Sequence, residues 1–233
     1  MNEFAWALAG FVAIHVGVAA TGLRAVLVGA LGEGGYRIGF SFLSALLLFL
    51  TVRGYGAMRA DPFDPLNGAL WAPPGWLHWP AAGLVALGVT LAVAGLLTPG
   101  PTLAGYEAAG LAKSEPAKGV LRITRHPFLW GVALWGAGHL LLNGERFAVM
   151  LFGALAIMAV LGARSIDRKG AARAPLAWAR FEDMTSNVPF VAILQSRNRL
   201  AISEMAWRLA LGVLAALGVA MLHRTAFGVG IVP

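Results

Sequence analysis

Hydrophobic residues are grouped along this chain in six runs, Phe4–Leu31, Ile38–Val52, Trp79–Thr98, His126–Leu142, Phe147–Ala163 and Met205–Leu222. A bilayer core asks for about 20 apolar residues per helix, so each run predicts a membrane helix. The expected fold class is therefore all-α, a polytopic bundle of about six transmembrane helices forming a single domain over residues 1–233. The second, fourth and fifth runs are short, and are expected to recruit flanks such as Tyr36, Tyr55 and Asn143 or to tilt little. The first run lacks a basic leader and a small-residue cleavage site, which predicts a retained helix rather than a signal peptide. In the connection Tyr55–Pro80, DPFDPLNGALWAPPGWLHWP, prolines forbid a long helix. Trp71, Trp76 and Trp79 there suit the headgroup zone, so the segment reads as an interfacial or re-entrant lid. The glycine-rich stretches Gly29–Gly35 and Gly100–Gly110 read as turns and flexible loops.

Composition agrees with the pattern. The chain has 233 residues, 58% hydrophobic and 12% charged, against roughly 25% charged in soluble domains. Its net charge of +7 suggests nucleic acid until the cations are placed on the loops. If the helices alternate, Arg53, Arg59, Arg146 and Arg224 share one side and the other Lys and Arg share the opposite side. By the positive-inside rule the richer side is cytoplasmic. Both termini then face outward, and the long connections Pro99–Arg125 and Arg164–Glu204 are cytoplasmic. That reading fits a multi-pass membrane protein with lipid as its partner and no nucleic acid. Cysteine is absent, so disulfides and thiolate ligands are excluded, and any metal must use nitrogen or oxygen donors. No phosphate loop, His-Glu-x-x-His motif or nucleophile elbow occurs.

Candidate chemistry falls to the five histidines. His78 and His223 lie at helix ends among aromatic or basic residues and read as interfacial anchors. His15 has no ionisable neighbour for eleven positions before it and eight after it. An ionisable group inside hydrocarbon is a functional candidate, the plain alternative being a neutral ring bonded to a carbonyl. His139 is likewise set among Val132, Trp135, Gly136 and Leu142. His126 stands apart from it, about 140° away around a common helix axis. It lies between Arg125 and Pro127, where cations and open amides at a helix start suit an anion, or else form a positive anchor.

At a rise of 1.5 Å per residue, His139 lies about 20 Å below its cytoplasmic mouth. His15 lies about 24 Å below Leu31 or about 13 Å below Arg24, nearer in depth to His139 than to His126. Two imidazoles on apolar faces with small residues, without cysteine or a neighbouring carboxylate, suit bis-histidine haem better than a closed four-ligand zinc site. Arg24, about 13 Å along the axis from His15, is placed to meet a propionate.

The stretches HVGVAATGLRAVLVGALGEGGYRIGFSFLS, RGYG, TRHPFLWGVALWGAGHLLLNGE and TSNVPF resemble the bacterial NnrU proteins, which are similar to plant and algal zeta-carotene isomerases. The likeness runs from about residue 5 to residue 195. It implies a haem b membrane protein with His15 and His139 at the ligating positions, and a link to nitric-oxide and nitrite reduction in denitrifying bacteria. Carotenoid cis–trans isomerisation at a redox-active iron is implied by the isomerases. Gly136 stands where those isomerases carry a cysteine proposed as an alternate ligand, so their ligand-switching element is missing.

The Arg-His-Pro motif also resembles the isoprenylcysteine carboxyl methyltransferase superfamily, which implies S-adenosylmethionine at Arg125 and His126. The second half of that site is only faintly echoed in WARFEDMTSNVPF. Trp178, Phe181, Glu182, Thr185, Ser186 and Asn187 are then expected to form a solvated helix and loop, or to close a haem slot. The leading expectation is a haem b protein with His15 and His139 as iron ligands and Arg24, Arg125 and His126 as further cofactor contacts. It leaves redox, gas-related and isomerase chemistry open, with nitric oxide or an apolar carotenoid-like substrate and a redox partner. A methyltransferase, or a non-enzymatic membrane factor for denitrification, are the alternatives.

Overall fold

The computed structural model describes residues 2–19 and 21–231, and among them every regular element is helical. Helix α1 spans Glu3–Ala13 and passes into a π-helical turn, Ile14–Ala19; α2 spans Leu23–Ala60, α3 His78–Leu96, α4 Glu107–Leu111 and α5 Pro127–Leu142. Then follow α6, Arg146–Arg173, α7, Pro175–Asp183, α8, Val191–Leu194, and α9, Ile202–Phe227. Four helical segments are long and apolar enough to cross a membrane, Leu23–Ala60, Gly75–Leu96, Arg146–Arg173 and Ile202–Phe227. The shorter apolar helices are Glu3–Ala19 and Pro127–Leu142. The chain is thus an all-α membrane protein.

Contacts divide the chain into two compact units, one with residues up to Pro73 and Asn143–Ala154, the other with Pro74–Leu142 and the residues from Leu155 onward. In the first unit, α1 runs antiparallel to the second half of α2. A Cβ on Gly54 would come within 2.8 Å of the Phe4 backbone, and one on Gly10 within 3.1 Å of Leu47. Asn2 caps α1 by accepting from Ala5 N at 3.1 Å, satisfying one orphan amide. Tyr55 packs edge-on against Phe147 at 4.8 Å and Phe152 at 5.9 Å.

The first apolar run is not one helix, which corrects the expectation of a continuous span over Phe4–Leu31. Gly17 and Gly22 weaken it, and the Thr21 hydroxyl donates to Gly17 O at 2.5 Å, the back-bonding that bends helices. The residues from Leu23 join the second run instead, across a kink at Gly32 (φ 70°, ψ 163°), a conformation that suits glycine. Gly29–Gly35 is therefore kinked helix rather than a loop. Arg24 and Arg37 both pair with Glu33 beside this kink, at 2.7 and 2.9 Å. Two further boundaries also move: α5 stops at Leu142 without recruiting Asn143, and α6 continues ten residues past Ala163 through its charged end.

The second unit is built on α3, which packs antiparallel to both α5 and α9. A Cβ on Gly131 would sit 2.5 Å from Ala92 N, and one on Gly88 2.6 Å from Trp135 N. Such glycines let backbones touch where lipid offers no hydrophobic drive between helices. On the other side, Gly212 meets the Thr90 carbonyl, and Ala94, Val120, Ile123 and Met205 close a small core. Arg122 holds the start of α9 through two bonds of 2.8 Å to the Glu204 carboxylate, and its Nη1 donates to Asn198 at 2.7 Å. The Glu204 hydrogen bond raises the Arg122 pKa above its usual value.

From Asp61 onward the proline-rich connection forms no long helix, only the 3-10 turns Pro65–Asn67 and Gly75–Leu77. Phe63, Trp76 and Trp79 are strongly exposed, consistent with interfacial side chains.

Candidate functional site

His15 lies on the π-helical turn, where one extra residue per turn rotates its ring relative to a straight helix; such turns recur at functional sites. Its Nδ1 lies 2.8 Å from the Phe11 carbonyl. A carbonyl can only accept, so Nδ1 carries the proton and the neutral ring holds its lone pair on Nε2. Phe11 and Phe40 flank the ring at 4.3 and 5.1 Å between centroids, and the Ser44 hydroxyl is 3.5 Å from Nε2. The α1–α2 packing therefore provides apolar walls and one weak polar contact.

His139 repeats this local chemistry on α5. Its Nδ1 is 2.9 Å from the Trp135 carbonyl, one turn back, and its ring lies 4.5 Å from that of Trp135. Donation from Nδ1 to a carbonyl is the arrangement that orients a histidine for metal ligation through Nε2. No group of three or more His, Cys, Asp or Glu suited to a metal occurs among the described residues. An iron held by two imidazoles needs four more donors, which a porphyrin brings itself. On donor type and tautomer, His15 and His139 thus fit haem. Arg24 pairs with Glu33 at 2.7 Å and its guanidinium lies over Tyr36, 5.3 Å from the ring centroid. A propionate would have to displace that carboxylate.

A different arrangement surrounds His126, whose carbonyl accepts from Trp130 N at 3.0 Å and so begins α5, with Pro127 in the first turn. Its side chain is fully buried and Nε2 lies 2.7 Å from Asp167 Oδ1. Arg125 grips the same carboxylate with Nε and Nη2, both at 2.8 Å, and reaches Glu182 at 2.8 Å. Asn187 donates to Asp167 Oδ2 at 2.9 Å and accepts from Trp130 Nε1 at 3.3 Å. Thr124 donates to the Asn187 carbonyl at 2.5 Å, and Thr102 donates to that of Arg125. Asp167 is the hub, accepting from three side chains. Buried charges persist only when paired and hydrogen-bonded, which explains the density of bonds.

Arg125 and His126 are therefore not a surface-exposed positive anchor, because they are 7% and 2% exposed. The charges of Arg122 and Arg125 are met by Glu204, Asp167 and Glu182 within the chain. Beside Arg125 opens a shallow cleft of about 590 Å³, also lined by Glu182, Thr185, Ser186 and Asn187. The expectation of a solvated helix and loop over Trp178–Asn187 is corrected. Trp178 lies against Gly170 and, with Phe181, packs on Ala117; Phe181 and Thr185 are fully buried. Asp167 was missed by sequence reasoning, although it stands one helical turn beyond Ala163, the last residue of the fifth apolar run.

His78 and His223 each bond a nearby carbonyl, Gly75 O at 3.0 Å and Val229 O at 2.9 Å, in exposed settings.

No solved structure matches the chain. The chloroplastic 15-cis-zeta-carotene isomerase of Zea mays is 35% identical over 82 residues, which are 35% of this chain and 22% of that protein. The chain thus aligns with less than a quarter of the maize protein. The model of the family described as "NnrU protein" matches residues 3–231, both compact units, and the chain belongs to that family.

Proposed function

We propose that this NnrU-family membrane protein binds haem b through His15 and His139 as axial ligands and carries out redox or cis–trans isomerase chemistry on an apolar substrate. The observation carrying this reading is the shared state of the two imidazoles, each within an apolar helix with Nδ1 donating to the carbonyl one turn back. The partial likeness to the maize isomerase supports a carotenoid-like substrate. The family resemblance supports a place in nitrogen-oxide metabolism at a bacterial inner membrane.

Held by His15 and His139, a haem would supply one-electron chemistry at this place in the chain. The chain's own part is to hold the two rings with the proton on Nδ1 and the lone pair on Nε2, and to wall them with Phe11, Phe40 and Trp135. Gly136 leaves no thiolate to exchange with His139, which favours a redox role over ligand switching.

Visible spectra of protein purified from haem-replete cells, oxidised and then reduced, test the reading. A low-spin haem b spectrum lost in His15→Ala and in His139→Ala is expected, whereas colourless wild-type protein overturns it. Turnover of a poly-cis carotene by the reduced protein then separates isomerase from electron carrier. Binding of S-adenosylmethionine that requires His126, in protein without haem, would replace this reading with the methyltransferase one.

A further inference from the structure

The segment from Val188 to Ile202 is bonded to the protein on its inner side and apolar on its outer side. Phe190 N donates to Ile123 O at 2.7 Å, and Asn198 donates to Met184 O at 2.6 Å while accepting from Arg122. Arg197 donates to the carbonyls of Asp183 and Thr185. Outward, Val188, Phe190, Leu194, Leu200 and Ile202 are 52, 48, 81, 48 and 55% exposed. Phe190 and Ser196, which bracket α8, are the two non-glycine residues with positive φ among the described residues, at 67° and 58°. That conformation is costly for a bulky side chain and persists where surrounding bonds impose it. The loop is thus fixed in a shape that presents apolar side chains outward.

Its position limits what can cover it. Ile202 opens α9, which is long and apolar enough to span, and Ile123 precedes the start of the apolar helix α5 by a few residues. The loop therefore emerges at the mouths of membrane helices. Between Asp183 and Glu204 there is no carboxylate, and the charged residues are Arg197 and Arg199. Large apolar side chains with interspersed arginines at this level match the headgroup–acyl boundary of an anionic leaflet.

We propose that the Val188–Ile202 loop is a membrane-surface foot, with Leu194 and its apolar neighbours in the boundary region and Arg199 on the phosphates of anionic phospholipid. Leu176, at the start of α7, is a control of equal exposure, 85%. It follows the charged end of α6, which carries it about 15 Å past the apolar run, into water.

Because the chain has no cysteine, Leu194→Cys and Leu176→Cys take one spin label each. In nanodiscs of phosphatidylcholine and phosphatidylglycerol, the label at 194 should show a several-fold higher ratio of oxygen to nickel-chelate accessibility than the label at 176. Arg199→Glu should lower the ratio at 194 in that mixture and have little effect in phosphatidylcholine alone. Equal, water-like ratios at 194 and 176 would overturn the proposal. So would burial at 194 that grows with the protein-to-lipid ratio, which would put a second copy of the chain on this face.

Discussion

His126 and His15 are both histidines among apolar residues, yet their surroundings differ in kind. His126 is fully buried on a carboxylate that also holds Arg125 and Asn187, in a network knitting α5, α6 and the loop after α7. His15 rests on its own helix through Nδ1, and among the described residues Nε2 has only the Ser44 hydroxyl at 3.5 Å. His126 is tied through Nε2 into short charged bonds, although its Nδ1 has no partner among the described residues, whereas His15 has no charged partner among them at all. Stability should therefore reside with the first and cofactor binding with the second.

Substitutions can break that comparison. The largest effect is expected for Asp167→Ala, which strands Arg125 and His126 without their carboxylate and should cost about 3–5 kcal/mol. The loss would be read as a lower thermal midpoint in detergent or as failure to accumulate. Next comes Gly131→Val, whose side chain meets the backbone of Ala92. Overpacking there should cost about 1–3 kcal/mol and separate α3 from α5, read by the same unfolding midpoint. His15→Ala sharpens the comparison from the other side, since it removes one local hydrogen bond and the ring's contacts with Phe11 and Phe40 but strands no charge, and should cost clearly less than Asp167→Ala while removing the low-spin haem signal. A His15→Ala protein as unstable as Asp167→Ala would make His15 a structural residue.

Much of the fold was legible because hydropathy at bilayer length is a strong signal: Trp79–Thr98 became His78–Leu96 and Met205–Leu222 became Ile202–Phe227. The break near Gly22 was hidden, since glycine and threonine leave a segment apolar on average while weakening its helix. The charged extension of α6 was hidden for the opposite reason, because Arg168, Lys169 and Arg173 read as loop although they continue the helix into the Asp167 network. Within the candidate site, the importance of His126 beside Arg125 was legible from the Arg-His-Pro motif. Their partners were not, because Asp167 and Glu182 are distant in sequence and reach Arg125 from two different helices, α6 and α7.

Electron paramagnetic resonance of the oxidised, haem-loaded protein tests the central claim most directly, because spin state reports axial ligation. Wild-type protein and His126→Gln, whose amide can still donate to Asp167, should both give a low-spin ferric signal, while His15→Ala and His139→Ala should give high-spin iron or none. An identical low-spin signal from both alanine variants would contradict ligation by His15 and His139.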